Sequence, residues 1–227
     1  MYAIAIDGPA SSGKSSIARK VAEKLNILHL NTGQLYRAVG LYAFQQGYFS
    51  NLDNEGRAIA DKKQIENILN NVKVEVKFLD GKQHTFLNGD DVTDLLHTKV
   101  VSDYSSRVSV VPEIRDHILH IQRDVASKNN VVMEGRDITS HILPNAKYKF
   151  FITASPEIRA ERRLNEMLEK GLNYSYEDIL QDIIQRDHRD ATRECSPLIV
   201  VPDAIVLDTS NNTLEEMVDK MLSYIKE

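Results

Sequence analysis

The chain predicts an α/β fold built on a five-stranded parallel sheet with helices on both faces. Three observations lead there. Short apolar runs recur along the 227 residues. Helical patterns lie between most of them, and alternating strand and helix units imply a parallel sheet whose crossovers cover both faces. The first run and the first helix are joined by Gly8-Pro9-Ala10-Ser11-Ser12-Gly13-Lys14-Ser15, the pattern G-x-x-x-x-G-K-[ST]. Its glycines let backbone wrap a phosphate chain, and its N–H groups then face anionic oxygens. Lys14 reaches the outer phosphates, and the Ser15 hydroxyl suits Mg²⁺.

Taken in order, residues 2–6 are apolar and short enough for a buried strand. Residues 16–26 follow the phosphate loop with Ile17, Val21 and Leu25 on one helical face. Such a helix lends its N-terminal partial charge to a bound phosphate, and Ser16 sits in its first turn. Residues 27–31, 130–134, 148–154 and 204–208 supply the other strands. The last helix has a capping box, Thr213 with Glu216, and an apolar stripe of Leu214, Met217, Val218, Met221, Leu222 and Ile225.

Residues 38–105 break the alternation. Val72 to Phe78 alternates with period two, Asp80-Gly81 signals a turn, and Thr85-Phe86-Leu87 continues beyond it. This predicts an antiparallel hairpin outside the main sheet, in an inserted subdomain. Ligands of open α/β sheets bind at the carboxyl ends of the strands, and the insert is expected to overhang that edge.

Composition excludes several classes. With 42% hydrophobic and 27% charged residues and a net charge of −5, the chain reads as a globular enzyme rather than a coat for nucleic acid. No apolar run is long enough to span a membrane. The first residues enter a strand with no export-type segment, and a lone cysteine, Cys195, forms no internal disulfide; a cytoplasmic location is the expectation. His117 and His120 stand three apart without a third ligand pattern, so a metal site there is not expected.

Polar residues gather after strand ends. Asn31-Thr32-Gly33-Gln34-Leu35-Tyr36-Arg37 follows the second predicted strand, and Glu134-Gly135-Arg136-Asp137 follows the third. Arg159, Arg162 and Arg163 occupy a helix opened by Ser155-Pro156-Glu157 and leaving through Lys170-Gly171. Arg186, Arg189 and Arg193 alternate with Asp187 and Asp190. Arginine suits bidentate contact with phosphate. Taken singly, arginines at helical spacing equally suit a solvated, salt-bridged face.

In this order, the phosphate loop, the N-T-G-Q-L-Y-R segment, the hairpin insert, the G-R-D after a strand, the R-A-E-R-R helix and the R-D-x-x-D-x-x-R run resemble the bacterial cytidylate kinases. These belong to the nucleoside monophosphate kinases, which have the three-layer P-loop kinase fold. The resemblance covers essentially the whole chain. It implies transfer of phosphate from ATP to CMP or dCMP with Mg²⁺, by a monomer with no nucleic-acid or membrane partner. It also implies a core of about 1–37, 106–154 and 176–227, a CMP-binding insert of about 38–105 and a lid of about 155–175.

Roles follow by the same resemblance. Gly8 to Ser16, Arg159 and Arg162 hold ATP, and Ser15 holds the metal. Lys14, Arg136, Arg159 and Arg186 act on the moving phosphoryl group. Arg37 and Arg136 take the acceptor phosphate. Thr32, Arg115, Asp137 and Arg193 line the pyrimidine pocket, while Ser106, Arg186 and Asp190 contact the sugar. Four departures stand out: Asn31 where many relatives have Asp, Glu134 in place of Asp, Thr139-Ser140 in place of Gly-Thr, and Cys195 in place of an apolar residue. A glycine permits close backbone approach, so Thr139 is expected to alter the loop carrying Asp137. The competing readings are another P-loop small-molecule kinase, a nucleotide switch, which would need an N-K-x-D segment that is absent, and a non-catalytic nucleotide-binding module.

Overall fold

Ile4, Ala5 and Ile6 have no exposed surface, as expected of a strand covered on both faces. They belong to β1 (Ala3–Asp7), the middle strand of the main sheet. The computed structural model describes residues 1–51, 59, 61–169 and 171–225. The main sheet has five strands: β1, β2 (Leu28–Asn31), β6 (Val131–Gly135), β7 (Tyr148–Thr153) and β8 (Ile205–Asp208), in the order β2-β6-β1-β7-β8. β1 pairs in parallel with β6 and β7, with Asp7 opposite both Gly135 and Phe151. β7 pairs in parallel with β8. The in-register ends place the turns after β1, β6 and β7 at one edge, as the strand assignments predict.

The chain divides into two units, Tyr2–His29 with Asn130–Glu227, and Leu30–Asn129. In the first, α1 (Lys14–Leu25) and α8 (Leu214–Tyr224) pack their apolar stripes onto the sheet. Ile17, Val21, Phe150, Ile152, Met217 and Met221 are among the core residues. α1 begins at Lys14, two residues earlier than the apolar spacing suggests, and ends at Asn26, which takes the left-handed conformation at φ 51°. The capping box is present: Thr213 Oγ1 accepts from Glu216 N, and Glu216 accepts from Thr213 N. A smaller cluster of Ala160, Ile179 and Ile183 joins α6 (Pro156–Glu169) to α7 (Tyr176–Thr192). Gly171 follows α6 at φ 71°; Lys170 lies outside the described residues.

The second unit has its own core, with Leu35, Val39, Phe49, Leu96, Ile114 and Ile118 fully or almost fully buried. Its helices include α2 (Thr32–Gln45), α3 (Lys62–Asn71), α4 (Lys99–Val108) and α5 (Pro112–Lys128). α2 and α4 approach closely at Gly40, where an added Cβ would meet Ser105 N at 2.7 Å. The expected hairpin is β3 (Val74–Leu79) with β4 (Lys82–Leu87), turning at Asp80-Gly81. A third short strand, β5 (Asp90–Asp91), pairs antiparallel with β4. It was not expected from the sequence, although the turn into it, Asn88-Gly89, with both residues at positive φ, is a hairpin signal.

Candidate active site

The phosphate loop runs from the end of β1 into α1. At Gly8 an added Cβ would stand 2.0 Å from Ile152 O, with φ at 152°, so only glycine lets the loop leave the sheet there. Ser12 Oγ and Lys14 Nζ both donate to Pro9 O, at 3.1 and 2.8 Å. Lys14 is 7% exposed. Burial, reinforced by the charges of Arg136 and Arg186 and opposed by Glu134 and Asp190, lowers its pKa to about 7. Ser11 is at positive φ.

Glu134 ends the apolar run of β6, beside β1. It lies opposite Ile6 and is 1% exposed. Ser15 Oγ donates to one carboxylate oxygen at 2.7 Å, and the other lies 3.0 Å from His29 Nε2. Burial pushes the Glu134 pKa up, but His29, Lys14 and Ser15 outweigh it and hold the carboxyl below its usual range. Ser15 and Glu134 therefore present two hard oxygens side by side. Mg²⁺ takes one or two such protein oxygens and completes its shell with water and phosphate, so the chemistry of this pair fits Mg²⁺.

Arg136, Arg159, Arg162 and Arg193 of this unit bond or pair with partly or fully buried groups rather than spreading over a solvated face. Arg136 Nε donates to Asp190 Oδ2 at 2.8 Å. Burial raises the Asp190 pKa, and Arg136, Arg186 and Arg193 together bring it below normal. Arg193 approaches Asp137 at 3.8 Å, both side chains being nearly buried, and donates through Nε to Ser196 O. Arg159, 3% exposed, makes a two-pronged pair with Asp187 at 3.1 and 2.5 Å and reaches Ala10 O of the phosphate loop at 3.3 Å. Arg162 donates to Thr209 Oγ1 and O, and Thr209 in turn donates to Ser12 O. Asp187 and Asp190 stand three apart on α7, so one helix face serves both Arg159 and Arg136. Arg163, paired with Glu166 at 3.1 Å, fits the solvated reading. The Arg159–Asp187 pair also walls a cavity of about 530 Å³ lined by Pro9, Ala154, Ser155 and Leu198.

In the second unit, Thr32 opens α2 and is buried. Arg37 donates to Leu96 O at 2.7 Å and Ser102 Oγ at 3.2 Å. Arg115, also buried, donates to Ser109 O at 2.9 Å, with its guanidinium 5.3 Å from the Tyr36 ring centre. Ser106 is half-buried on α4, and its carbonyl accepts from Ser109 Oγ. His117 Nε2 lies 3.1 Å from Val72 O, a backbone contact.

Sequence reading missed Asp7, His29 and Thr209, the pairing of Asp187 with Arg159 and the acceptor role of Glu134. Asp7 and Glu134 did carry a signal, since each is an acid closing an apolar strand beside the phosphate loop. Asp7 accepts from Ile138 N, Thr139 N and Thr139 Oγ1 at 2.8, 2.7 and 2.6 Å. The loop carrying Asp137 is therefore bonded through Thr139, not merely crowded by it.

Comparison with known proteins agrees with this arrangement. The family model described as cytidylate kinase matches residues 4–227. A cytidylate kinase of Caldicellulosiruptor bescii is 42% identical over 96% of this chain and 93% of its own. One of Clostridium botulinum, strain Loch Maree, is 41% identical over 98% and 97%. The crystal structure of an uncharacterized protein from Eubacterium ventriosum shares the fold at TM-score 0.53 and 15% identity, covering 99% of this chain and 98% of that one. With nearly the whole length matched by the family model and by relatives above 40% identity, the chain belongs to the cytidylate kinase family.

Proposed function

We propose that the chain transfers the terminal phosphoryl group of ATP to CMP and dCMP, giving ADP and the corresponding diphosphates. The observation that carries this is the half-buried Arg136–Asp190 pair beside the buried Lys14, with Arg159 bonded to the phosphate loop. Phosphoryl transfer needs alignment and positive charge more than covalent help. The acceptor is already an anionic phosphate oxygen, so no general base is required.

Lys14, with its pKa near 7, and the loop N–H groups receive the ATP phosphates; an arriving polyanion favours the charged ammonium. Arg136, held by Asp190, and Arg37 receive the acceptor phosphate. Arg186 adds positive charge, Asp190 and Ser106 contact the sugar, and Thr32, Arg115, Asp137 and Arg193 face the base. Arg159 and Arg162 complete the ATP side. Ser15 and Glu134 would hold Mg²⁺, which would supply charge neutralisation on the phosphate oxygens. Residues of about 155–175 act as the lid and about 38–105 as the CMP-binding insert. The protein acts as a cytoplasmic monomer without nucleic-acid or membrane partners; no described helix is long and apolar enough to cross a membrane.

Cytosine offers an amino donor and a ring-nitrogen acceptor where uracil offers an oxygen and an N–H. A carboxylate such as Asp137 accepts from the amino group, and an arginine donates to the ring nitrogen. Two mismatched contacts at about 1–3 kcal/mol each give about 30- to 10⁴-fold preference for CMP. The test is kcat/KM for CMP and UMP in the wild type and in Asp137→Ala. The variant is expected to lose activity on CMP far more than on UMP. Equal use of both nucleotides by the wild type, or a ratio that survives the substitution, contradicts the reading.

A further inference from the structure

Asp7 is the last residue of β1 and immediately precedes the phosphate loop. It has no exposed surface. Its carboxylate is met by three donors, all from residues 138 and 139: two backbone N–H groups and the Thr139 hydroxyl. Those residues open a π turn, Ile138–Ile142, 2% or less exposed at Ile138, Thr139 and Ile142. The turn starts from Asp137, whose carbonyl accepts from His141 N at 2.9 Å and Ile142 N at 3.1 Å. π turns are uncommon and tend to occur at functional sites. Asp137 is thus held by its own carbonyl on one side and, one residue on, by the carboxylate that ends β1.

We propose that Thr139 is a positioning residue: its hydroxyl completes a three-donor clasp on Asp7 that fixes Asp137 against the strand leading into the phosphate loop, and so sets the preference for cytosine. The physical reason is the cost of leaving the clasp incomplete. A buried carboxylate needs donors in place of water. Burial raises the Asp7 pKa, the three hydrogen bonds lower it, and the nearby Asp137 charge raises it again. Asp137 and Asp7 repel, so the turn stays in place only while the donors outweigh that repulsion. A side chain of the same shape without the hydroxyl leaves Asp7 Oδ2 with one donor instead of two, and the turn relaxes away from it, taking Asp137 along.

This rests on the reading of the site as a CMP kinase, and the experiment separates the two. Thr139→Val keeps the shape and removes the donor; Thr139→Ser keeps the donor. Relative to wild type, Thr139→Val is expected to lower kcat/KM for CMP about 10-fold, the scale of one lost hydrogen bond to a charged group. The CMP-to-UMP ratio should fall with it, while KM for ATP stays within about twofold, and Thr139→Ser should recover the ratio. Amide exchange at residues 138 and 139 should be faster in Thr139→Val and normal in Thr139→Ser. A lower melting temperature with an unchanged CMP-to-UMP ratio shows a merely structural role and overturns the proposal. If the wild type does not phosphorylate CMP, the functional reading fails at that step; the clasp is then judged by exchange alone, and equal exchange in all three proteins overturns it.

Discussion

Lys14 is a buried ammonium whose hydrogen bond within the free protein goes to a backbone carbonyl, Pro9 O. Its pKa falls from 10.5 to about 7, and this has a consequence for stability. Between those values the unfolded chain binds the proton and the folded chain does not. Stability from this group therefore rises as pH climbs from about 7 to about 10.5, and its penalty is fully present below 7. Lys14→Met removes that penalty. The variant is expected to melt above wild type at pH 7, with the gap closing toward pH 10, while turnover falls by at least about 10²-fold. Melting curves across pH, with a coupled ADP assay, check both halves. A variant less stable than wild type at pH 7, or one retaining activity within about threefold, contradicts this account of the lysine. Other residues at this scale were less legible in the sequence. Gly8 to Ser15 carry their chemistry in local spacing, whereas Ser15–Glu134 and Asp7–Thr139 join residues more than a hundred positions apart, and no local pattern encodes such pairs.

At the scale of elements, α6 and α7 share a small apolar cluster, and their polar edge is the Arg159–Asp187 pair. Arg159 and Arg162 already contact the phosphate loop or Thr209 beside it, so α6 is the element expected to respond to a bound triphosphate. Water must be kept from the phosphoryl group during transfer. Hydrogen exchange over residues 155–175 is expected to slow when ATP and CMP, or their unreactive analogues, are both present, and to slow less with either alone. Identical exchange with and without both ligands contradicts the lid assignment. The helix and strand boundaries here were legible because period and caps are local: Thr213 with Glu216 fixed the start of α8, and the apolar runs found all five strands of the main sheet. The third strand of the insert escaped because a two-residue partner, Asp90–Asp91, is too short and too polar to show alternation.

Over the whole molecule, the order of strands explains why one loop motif was so informative. β1 lies between β6 and β7, so a phosphate loop after β1 necessarily has the turns after β6 and β7 as neighbours, and those turns begin the segments bearing Arg136, Asp137 and Arg159. The arginines looked ambiguous in sequence because their carboxylate partners come from other elements, and only the fold brings Asp190 to Arg136 and Asp187 to Arg159. What such an arrangement phosphorylates is decided by the acceptor. The most direct measurement is a coupled assay of ADP formation from ATP and Mg²⁺ with CMP, dCMP, UMP, AMP, GMP or shikimate at equal concentrations. CMP and dCMP are expected to turn over at least about 30-fold better, in kcat/KM, than any other acceptor. A purine nucleotide or shikimate used as well as CMP, or no turnover with CMP, would contradict the assignment.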